Sequence, residues 1–337
     1  MENNSSVSGG DHLVYLCDWP NFETVIGAIF ILIFILSVIG NSLILCILTC
    51  YENLNDVTNL FFLNLACSDL VFTITLPFYT VYSLHHWVFG DVACKFLTSA
   101  YFVGIYSSVI LLTAMTVDRF ITVVLNWPRN PVKRRRYAIG ACAGAWVISI
   151  ASSLRDAMAV KVEAFDENTF SCEASSETSE NNLDYYLQTS LLFFLPFAII
   201  IFCYSAILKT VLTTANRQRR RTVVVVLCIV AAFFICWGPY NTFILISTLY
   251  KPVGCYEEER FYIAYSVCRV LAYSHCCMNA LLYMLSQKMR RHLLSLLHCE
   301  NTRRSIRDRG TGQSSSVIQN AAITAQNSAD ILELKSN

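Results

Sequence analysis

The stretch TVIGAIFILIFILSVIGNSLILCILT, Thr24–Thr49, decides the fold, because none of its 26 residues is Asp, Glu, Lys or Arg. A helix rises 1.5 Å per residue, so roughly 20 such residues cross the ~30 Å hydrocarbon core of a bilayer. Working outward, six more runs meet the same need. Phe96–Val117, Tyr137–Leu154, Leu187–Leu208 and Thr222–Tyr250 are uncharged, Asn59–Leu84 carries only Asp69, and Phe261–Leu285 carries only Arg269. A single run of this kind fits a buried soluble helix, but seven do not. Composition agrees. Of 337 residues 55% are apolar and 15% charged, against roughly 45–50% and 25% in soluble domains. A soluble enzyme is excluded, and the net charge of +1 gives no reason to expect nucleic acid as a partner. The expected class is an all-α membrane protein, a seven-transmembrane helix bundle.

An odd number of spans puts the two termini on opposite sides, and basic residues mark the inside. Nineteen of the 25 Lys and Arg fall on one side, including Arg119, Arg129, Lys133–Arg136, Arg217, Arg219–Arg221 and the tail. The N-terminus is therefore outside. Four parts follow: an outer segment (1–22), the bundle (23–286), an amphipathic interfacial helix (287–298) that turns Met289 and its leucines to lipid, and a polar, disordered cytoplasmic tail (299–337). The first 22 residues lack a basic n-region and an apolar h-region, so the first span is expected to serve as the insertion signal.

Acidic residues have the opposite bias, with sixteen of 24 outside. Glu163, Asp166, Glu167, Glu173, Glu177, Glu180 and Asp184 crowd into one loop. Such a field either solvates the outer face or steers a basic soluble ligand to it. Of fifteen cysteines only Cys17, Cys94, Cys172 and Cys255 lie in outer segments, where thiols oxidise. Three pairings are possible. Cys94–Cys172 with Cys17–Cys255 is preferred, since Cys17 and Cys255 precede the first and seventh spans, neighbours in a closed ring. Asn3 and Asn4 open overlapping glycosylation patterns on the outer side.

Ionisable residues inside a membrane are costly and point to function. Asp69 shares its depth with Asn41, Ser108 and Asn279. This set either binds a sodium ion or proton, or orients the helices by hydrogen bonds. Arg269 is expected to point into a wet cavity open to the outside. No Lys lies within a span and His275 is the single intramembrane histidine, so neither a retinal Schiff base nor a histidine zinc site fits. No metal centre, catalytic residue or resident cofactor beyond that sodium ion is expected.

Gly40-Asn41, Leu65-Ala66-Cys67-Ser68-Asp69, Asp118-Arg119-Phe120, Trp146, Pro196 with Tyr204, Cys236-Trp237-Gly238-Pro239 and Asn279-Ala280-Leu281-Leu282-Tyr283 fall in order on the seven spans. In these the chain resembles the rhodopsin-like G-protein-coupled receptors over roughly Phe22–Cys299. Thr75-Leu76-Pro77, Trp87-Val88-Phe89-Gly90, Trp237-Gly238-Pro239-Tyr240-Asn241 and Ser274-His275-Cys276-Cys277-Met278-Asn279 are similar to the chemokine receptor subfamily. Arg269, where most CC-type receptors have Glu, and Ala151-Ser152-Ser153-Leu154 resemble its XC (lymphotactin) branch.

The resemblance implies a plasma-membrane receptor that binds a small basic chemokine and activates a heterotrimeric G protein of the inhibitory type, leading to calcium signalling and chemotaxis. Ligand contacts would be Tyr15, Tyr79, Tyr101, Tyr240 and Arg269, and switch residues Asp118, Arg119, Tyr204, Trp237, Pro239, Asn279 and Tyr283. At rest Asp118 is expected to pair with Arg119. Cys299 is a palmitoylation candidate, and tail hydroxyls would serve receptor kinases and arrestin. Two departures, Phe120 for Tyr and Ala280 for Pro, keep open a scavenger that internalises ligand without G-protein signalling. Ala280 is expected to straighten the inner end of the seventh helix.

Overall fold

The computed structural model describes residues 22–127, 130–166, 169–174, 190–213, 217–250, 252–284 and 289. In chain order its elements are α1 (Phe22–Cys50), α2 (Val57–Thr73), α3 (Leu76–Leu84), α4 (Gly90–Val123), α5 (Pro131–Ala159), the strands β1 (Val160–Asp166) and β2 (Thr169–Ala174), a π-helical turn (Ser190–Phe194) that runs into α6 (Leu195–Thr213), α7 (Arg217–Leu249), α8 (Cys255–Tyr273) and α9 (His275–Met284). The helices form seven spans, the second from α2 and α3 and the seventh from α8 and α9. Five are long and apolar enough to cross a membrane by themselves: Glu23–Cys50, Val57–Leu84, Gly90–Val123, Pro131–Ala159 and Val223–Leu249. The fifth is described only from Ser190, and its apolar part is Leu195–Thr210. The seventh breaks at Ser274, and its outer turn carries Glu257, Glu258 and Arg260.

Several helices outrun the apolar runs that announce them. Helix α4 starts at Gly90 rather than Phe96, and α5 at Pro131 rather than Tyr137. Apolarity marks only the part in hydrocarbon, and a helix continues wherever its charged side chains reach headgroups or water. Asn130 caps α5 by accepting from the Val132 amide at 2.9 Å, with Pro131 preset for the first helical position. The second span breaks at Ile74–Thr75 because Pro77 has no N–H for the Thr73 carbonyl. Thr75 Oγ1 donates instead to the Phe72 carbonyl, at 2.7 Å.

Close approach of α2 and α4 organises the centre. A Cβ on Gly104 would lie 2.6 Å from Phe72 Cβ and 2.9 Å from its backbone N and Cα. This proximity lets Ser68 Oγ donate to the Gly104 carbonyl at 2.8 Å and meet Ser108 Oγ at 2.8 Å. Trp146 Nε1 ties α5 to α2 through Asn64 Oδ1, at 2.9 Å. Helix α9 runs α-helical through Ala280, and α1 approaches it closely there. A Cβ on Gly40 would sit 2.8 Å from that of Ala280.

The second outer loop folds into an antiparallel hairpin that the sequence reading does not contain. Val160 pairs with Ala174, Val162 with Cys172 and Ala164 with Phe170. Alternation places Val160, Val162 and Cys172 against buried Trp87, Cys94 and Leu97. The Cys94–Cys172 disulfide spans Cα atoms 5.8 Å apart and anchors β2 to α4. Cys255 is also disulfide-bonded, while Cys17 lies outside the described residues. So do Tyr15, Asn3, Asn4, Cys299, the acidic Glu167, Glu177, Glu180 and Asp184, and the tail. Of the amphipathic segment Met289 alone is described.

Candidate functional site

Aromatic rings from five spans line a basin at the outer end of the bundle. Tyr79 of α3 meets Tyr101 of α4 with ring centroids 5.8 Å apart, and Tyr101 meets Tyr273 of α8 at 5.7 Å. Tyr273 stacks on Phe30 of α1 at 5.1 Å. On the opposite side Tyr240 of α7 lies 6.0 Å from Tyr265 of α8 and 5.7 Å from Trp237. Phe72 closes the floor, edge-on to Tyr273 at 5.4 Å and to Trp237 at 6.5 Å.

Arg269 completes the ring. Its guanidinium carbon lies 5.3 Å from the Phe30 ring centre and 5.4 Å from that of Tyr265, a geometry in which the ring faces attract the cation. Nη2 reaches Ser83 Oγ at 3.5 Å, and Nε is buried without a hydrogen-bond partner. Arg269 is thus partly buried and held against two aromatic faces. An aromatic sandwich solvates a guanidinium that lipid cannot. Tyr79, Tyr101, Tyr240 and Arg269 fall in one continuous basin. Phe30, Phe72, Ser83, Tyr265 and Tyr273 are site residues missing from the sequence reading. The spacing Tyr265, Arg269, Tyr273 carries the signal for two of them, since residues four apart share a helix face.

Beneath the basin lies a polar layer. The His275 ring packs against Trp237 at 5.3 Å and Phe72 at 4.8 Å. Its Nδ1 bonds to the Ala272 carbonyl at 2.8 Å, and Nε2 stands 3.9 Å from Asp69 Oδ1. Asp69 accepts from Ser108 Oγ at 3.2 Å and from Asn279 Nδ2 at 3.1 Å. Asn41 borders the same small cavity but donates to Ser37 and to the Cys276 carbonyl, at 3.0 Å each, rather than to Asp69. Asn279 Oδ1 is buried without a partner. An orphaned amide oxygen beside a carboxylate and a hydroxyl is a donor set that fits a hard monovalent cation.

At the inner end the expected Asp118–Arg119 pair is not formed. Arg134 of α5 grips Asp118 with two bonds, Nε to Oδ1 at 2.9 Å and Nη2 to Oδ2 at 2.6 Å. Arg119 Nη2 donates instead to Thr58 Oγ1 of α2. Adjacent residues on a helix point about 100° apart, so Asp118 and Arg119 face different neighbours. Tyr204 is buried beside Thr116 and Arg119. Phe120 packs on Phe202 of α6 at 5.8 Å, and Tyr283 on Phe62 at 4.0 Å. Pro239 sits inside α7, two residues beyond buried Trp237.

Above the basin, Trp87 is 2% exposed and donates from Nε1 to the Gly90 carbonyl at 2.8 Å. The Tyr82 hydroxyl reaches Glu173 of β2 at 3.3 Å. In the third outer loop Glu257 accepts from the Tyr250 hydroxyl at 2.8 Å and from the Val253 amide at 3.2 Å. These donors hold its carboxyl below the ordinary value.

Residues 40–283 match the family model of the 7 transmembrane receptor (rhodopsin family). The chain is 38% identical over 281 residues to chemokine XC receptor 1 of Homo sapiens, covering 80% of each. It is 35% identical over 292 residues to chemokine XC receptor 1 of Mus musculus, covering 85% of this chain and 88% of the mouse protein. With C-C chemokine receptor type 1 of Homo sapiens it shares 31% over 275 residues, covering 79% and 78%. The chain belongs to the chemokine receptors of the rhodopsin-like family. A chemokine receptor is a multi-pass protein of the plasma membrane. In this receptor the aromatic cluster therefore lies at the outer end of the bundle, and the Asp118–Arg134 pair at the cytoplasmic end.

Proposed function

We infer that this receptor binds a small basic chemokine of XC type at its acidic outer face and activates an inhibitory heterotrimeric G protein, with calcium signalling and chemotaxis downstream. The observation that carries the reading is Arg269 fixed in the ring of Tyr79, Tyr101, Tyr265, Tyr273 and Tyr240, at the mouth of a chain similar to two XC receptors. The chemokine core docks on the N-terminal segment around Tyr15, and its flexible terminus enters the basin. Binding favours the active arrangement only by its differential affinity for that state. Trp237 lies on the floor, so a ligand end that displaces the rings there works on α7 at Pro239. The switch then runs through His275 to the layer of Asp69 and Asn279, which a sodium ion would hold at rest. At the inner end, separation of α4, α6 and α7 uncovers Arg119 for the G protein. The tail recruits arrestin after phosphorylation by receptor kinases, Cys299 is palmitoylated to anchor the amphipathic helix in lipid, and a Cys17–Cys255 bridge closes the ring. Asn3 and Asn4 carry glycans.

The test is G-protein activation in cells expressing the receptor, with lymphotactin and with a panel of CC-type chemokines. A response to lymphotactin alone is expected. Arg119→Ala is expected to abolish G-protein activation while surface expression and ligand binding persist, and unchanged activation in that variant refutes the assigned role. A second reading, a scavenger, draws on the α-helical course of α9 through Ala280. It predicts ligand uptake without G-protein activation, reversed by Ala280→Pro with Phe120→Tyr.

A further inference from the structure

The base of α5 carries exposed cations and rings that neither the basin nor the switch uses. Its first turns run Pro131-Val132-Lys133-Arg134-Arg135-Arg136-Tyr137. Successive residues of a helix point about 100° apart, so these four cations meet different surroundings. Arg134 turns to α4 and grips Asp118. Lys133, Arg136 and Tyr137, three and four positions apart, share another face and are exposed. Among the described residues neither Lys133 nor Arg136 has an ion-pair partner. Trp127, from the loop after α4, stacks on Tyr137 with ring centroids 6.0 Å apart and planes at 29°. The stack stays open, with Trp127 55% and Tyr137 59% exposed.

Depth explains the exposure. Tyr137 opens the uncharged run of α5, so it and Trp127 lie at the inner boundary of the hydrocarbon, where amphipathic rings collect. Lys133 stands about 6 Å to the cytoplasmic side of Tyr137, and with Arg136 it reaches the level of the lipid phosphates. One turn into the bilayer, a Cβ on Gly140 would meet nothing within 4 Å, which leaves the same face bare for an acyl chain. The rule that cations mark the inner side asks for charge, but not for this order of charge, ring and bare helix along one face. Two cations side by side repel, and a lipid with a single phosphodiester charge neutralises one of them. An inositol lipid bearing phosphomonoesters offers several anionic oxygens, which a guanidinium takes bidentately. We propose that Lys133, Arg136, Tyr137 and Trp127 form a binding site for a phosphoinositide of the cytoplasmic leaflet. The cations take its phosphates, the rings pack on its glycerol and ester region, and one chain runs over Gly140. The site adjoins Arg134, so a bound lipid braces the turn from which that residue holds Asp118.

The probe is dioleoyl phosphatidylinositol bisphosphate, titrated into purified full-length receptor in detergent micelles and read as bound lipid by native mass spectrometry. Dioleoyl phosphatidylserine and phosphatidylcholine are the comparison lipids. The wild type is expected to prefer the inositol lipid to phosphatidylcholine by roughly tenfold or more, with phosphatidylserine between them. Arg136→Gln should weaken the inositol lipid roughly fivefold, the contribution of one cation near an anionic surface. Arg135→Gln removes the same charge from another face and should cost less than about twofold. Arg136→Lys keeps the charge and should recover part of the affinity, which separates a lost phosphate contact from a folding defect at that position. Trp127→Ala should weaken binding roughly threefold through the lost ring contact. Equal losses in Arg136→Gln and Arg135→Gln would mark a diffuse surface potential and overturn the proposal, as would equal binding of the three lipids. If Arg136→Gln binds the inositol lipid like the wild type but activates G protein less, the surface belongs to the G protein and the proposal falls.

Discussion

Replacing Gly104 by alanine tests the helix contact that positions both the basin and the polar layer. The added Cβ would stand 2.6 Å from Phe72 Cβ and 2.9 Å from Phe72 N and Cα. Carbon atoms rest at roughly 3.5–4.0 Å, and backbone atoms cannot swing aside, so α2 and α4 must part by about 1 Å. That movement carries Ser68 Oγ, now 2.8 Å from the Gly104 carbonyl and 2.8 Å from Ser108 Oγ, beyond good hydrogen-bond range. Overpacking costs about 1–3 kcal/mol, and each weakened bond adds roughly 1 kcal/mol. The gain in helix propensity from Gly to Ala returns about 1 kcal/mol. A net loss of about 2–4 kcal/mol, at roughly 2 °C per kcal/mol for a chain of this size, lowers the melting temperature by about 4–8 °C. The assay is thermal denaturation of purified receptor in detergent micelles, scored as the monomer surviving heating. Gly140→Ala is the control, because nothing lies within 4 Å of a Cβ there. It should be neutral or slightly stabilising. Equal melting of the two variants would refute the reasoning, since only contact with Phe72 separates them.

Gly40→Ala should also destabilise, by colliding with Ala280 at 2.8 Å, and Ala280→Gly should restore much of the loss in the double variant. For the inner ion pair, a thermodynamic cycle of Asp118→Asn and Arg134→Gln in the melting assay should give a coupling of roughly 0.5–3 kcal/mol. The side chains are 14% and 25% exposed, so additivity would show that the pair is idle. Arg134→Gln should also raise ligand-free G-protein activation. Glu257 has a depressed carboxyl pKa from Tyr250 and Val253, so its contribution is complete above the unfolded value of about 4.3 and is lost as pH falls through the lower folded value. Protection of the Val253 amide against hydrogen exchange, taken relative to its intrinsic rate, should fall in that acid window, and Glu257→Ala should lack it already at neutral pH. Replacing sodium by choline should lower the melting temperature of the wild type but not of Asp69→Asn, whose carboxylate is gone.

Much of this receptor was legible in one dimension because the bilayer imposes a one-dimensional rule. An uncharged run of about 20 residues spans the hydrocarbon, and the placement of Lys and Arg orients it. Thr24–Thr49 and its six counterparts therefore announce the bundle. The Cys94–Cys172 bond and the gathering of Asp69, Ser108 and Asn279 followed from chain position and depth. Residue identity and depth do not say which way a side chain turns. Asp118 and Arg119 are neighbours in sequence, but the helix points them apart, so Asp118 meets Arg134 sixteen positions away and Arg119 meets Thr58. Arg269 needed shelter, but only the packing of α1 against α8 decided that Phe30 and Tyr265 would give it. The hairpin of the second outer loop formed because the disulfide and buried Trp87 offered its alternate residues a surface. The sequence by itself determined which segments enter the membrane and in what orientation, since transfer free energy is summed along each helix. Only tertiary structure decided which polar groups meet, since that depends on the rotation of each helix about its axis against its neighbours.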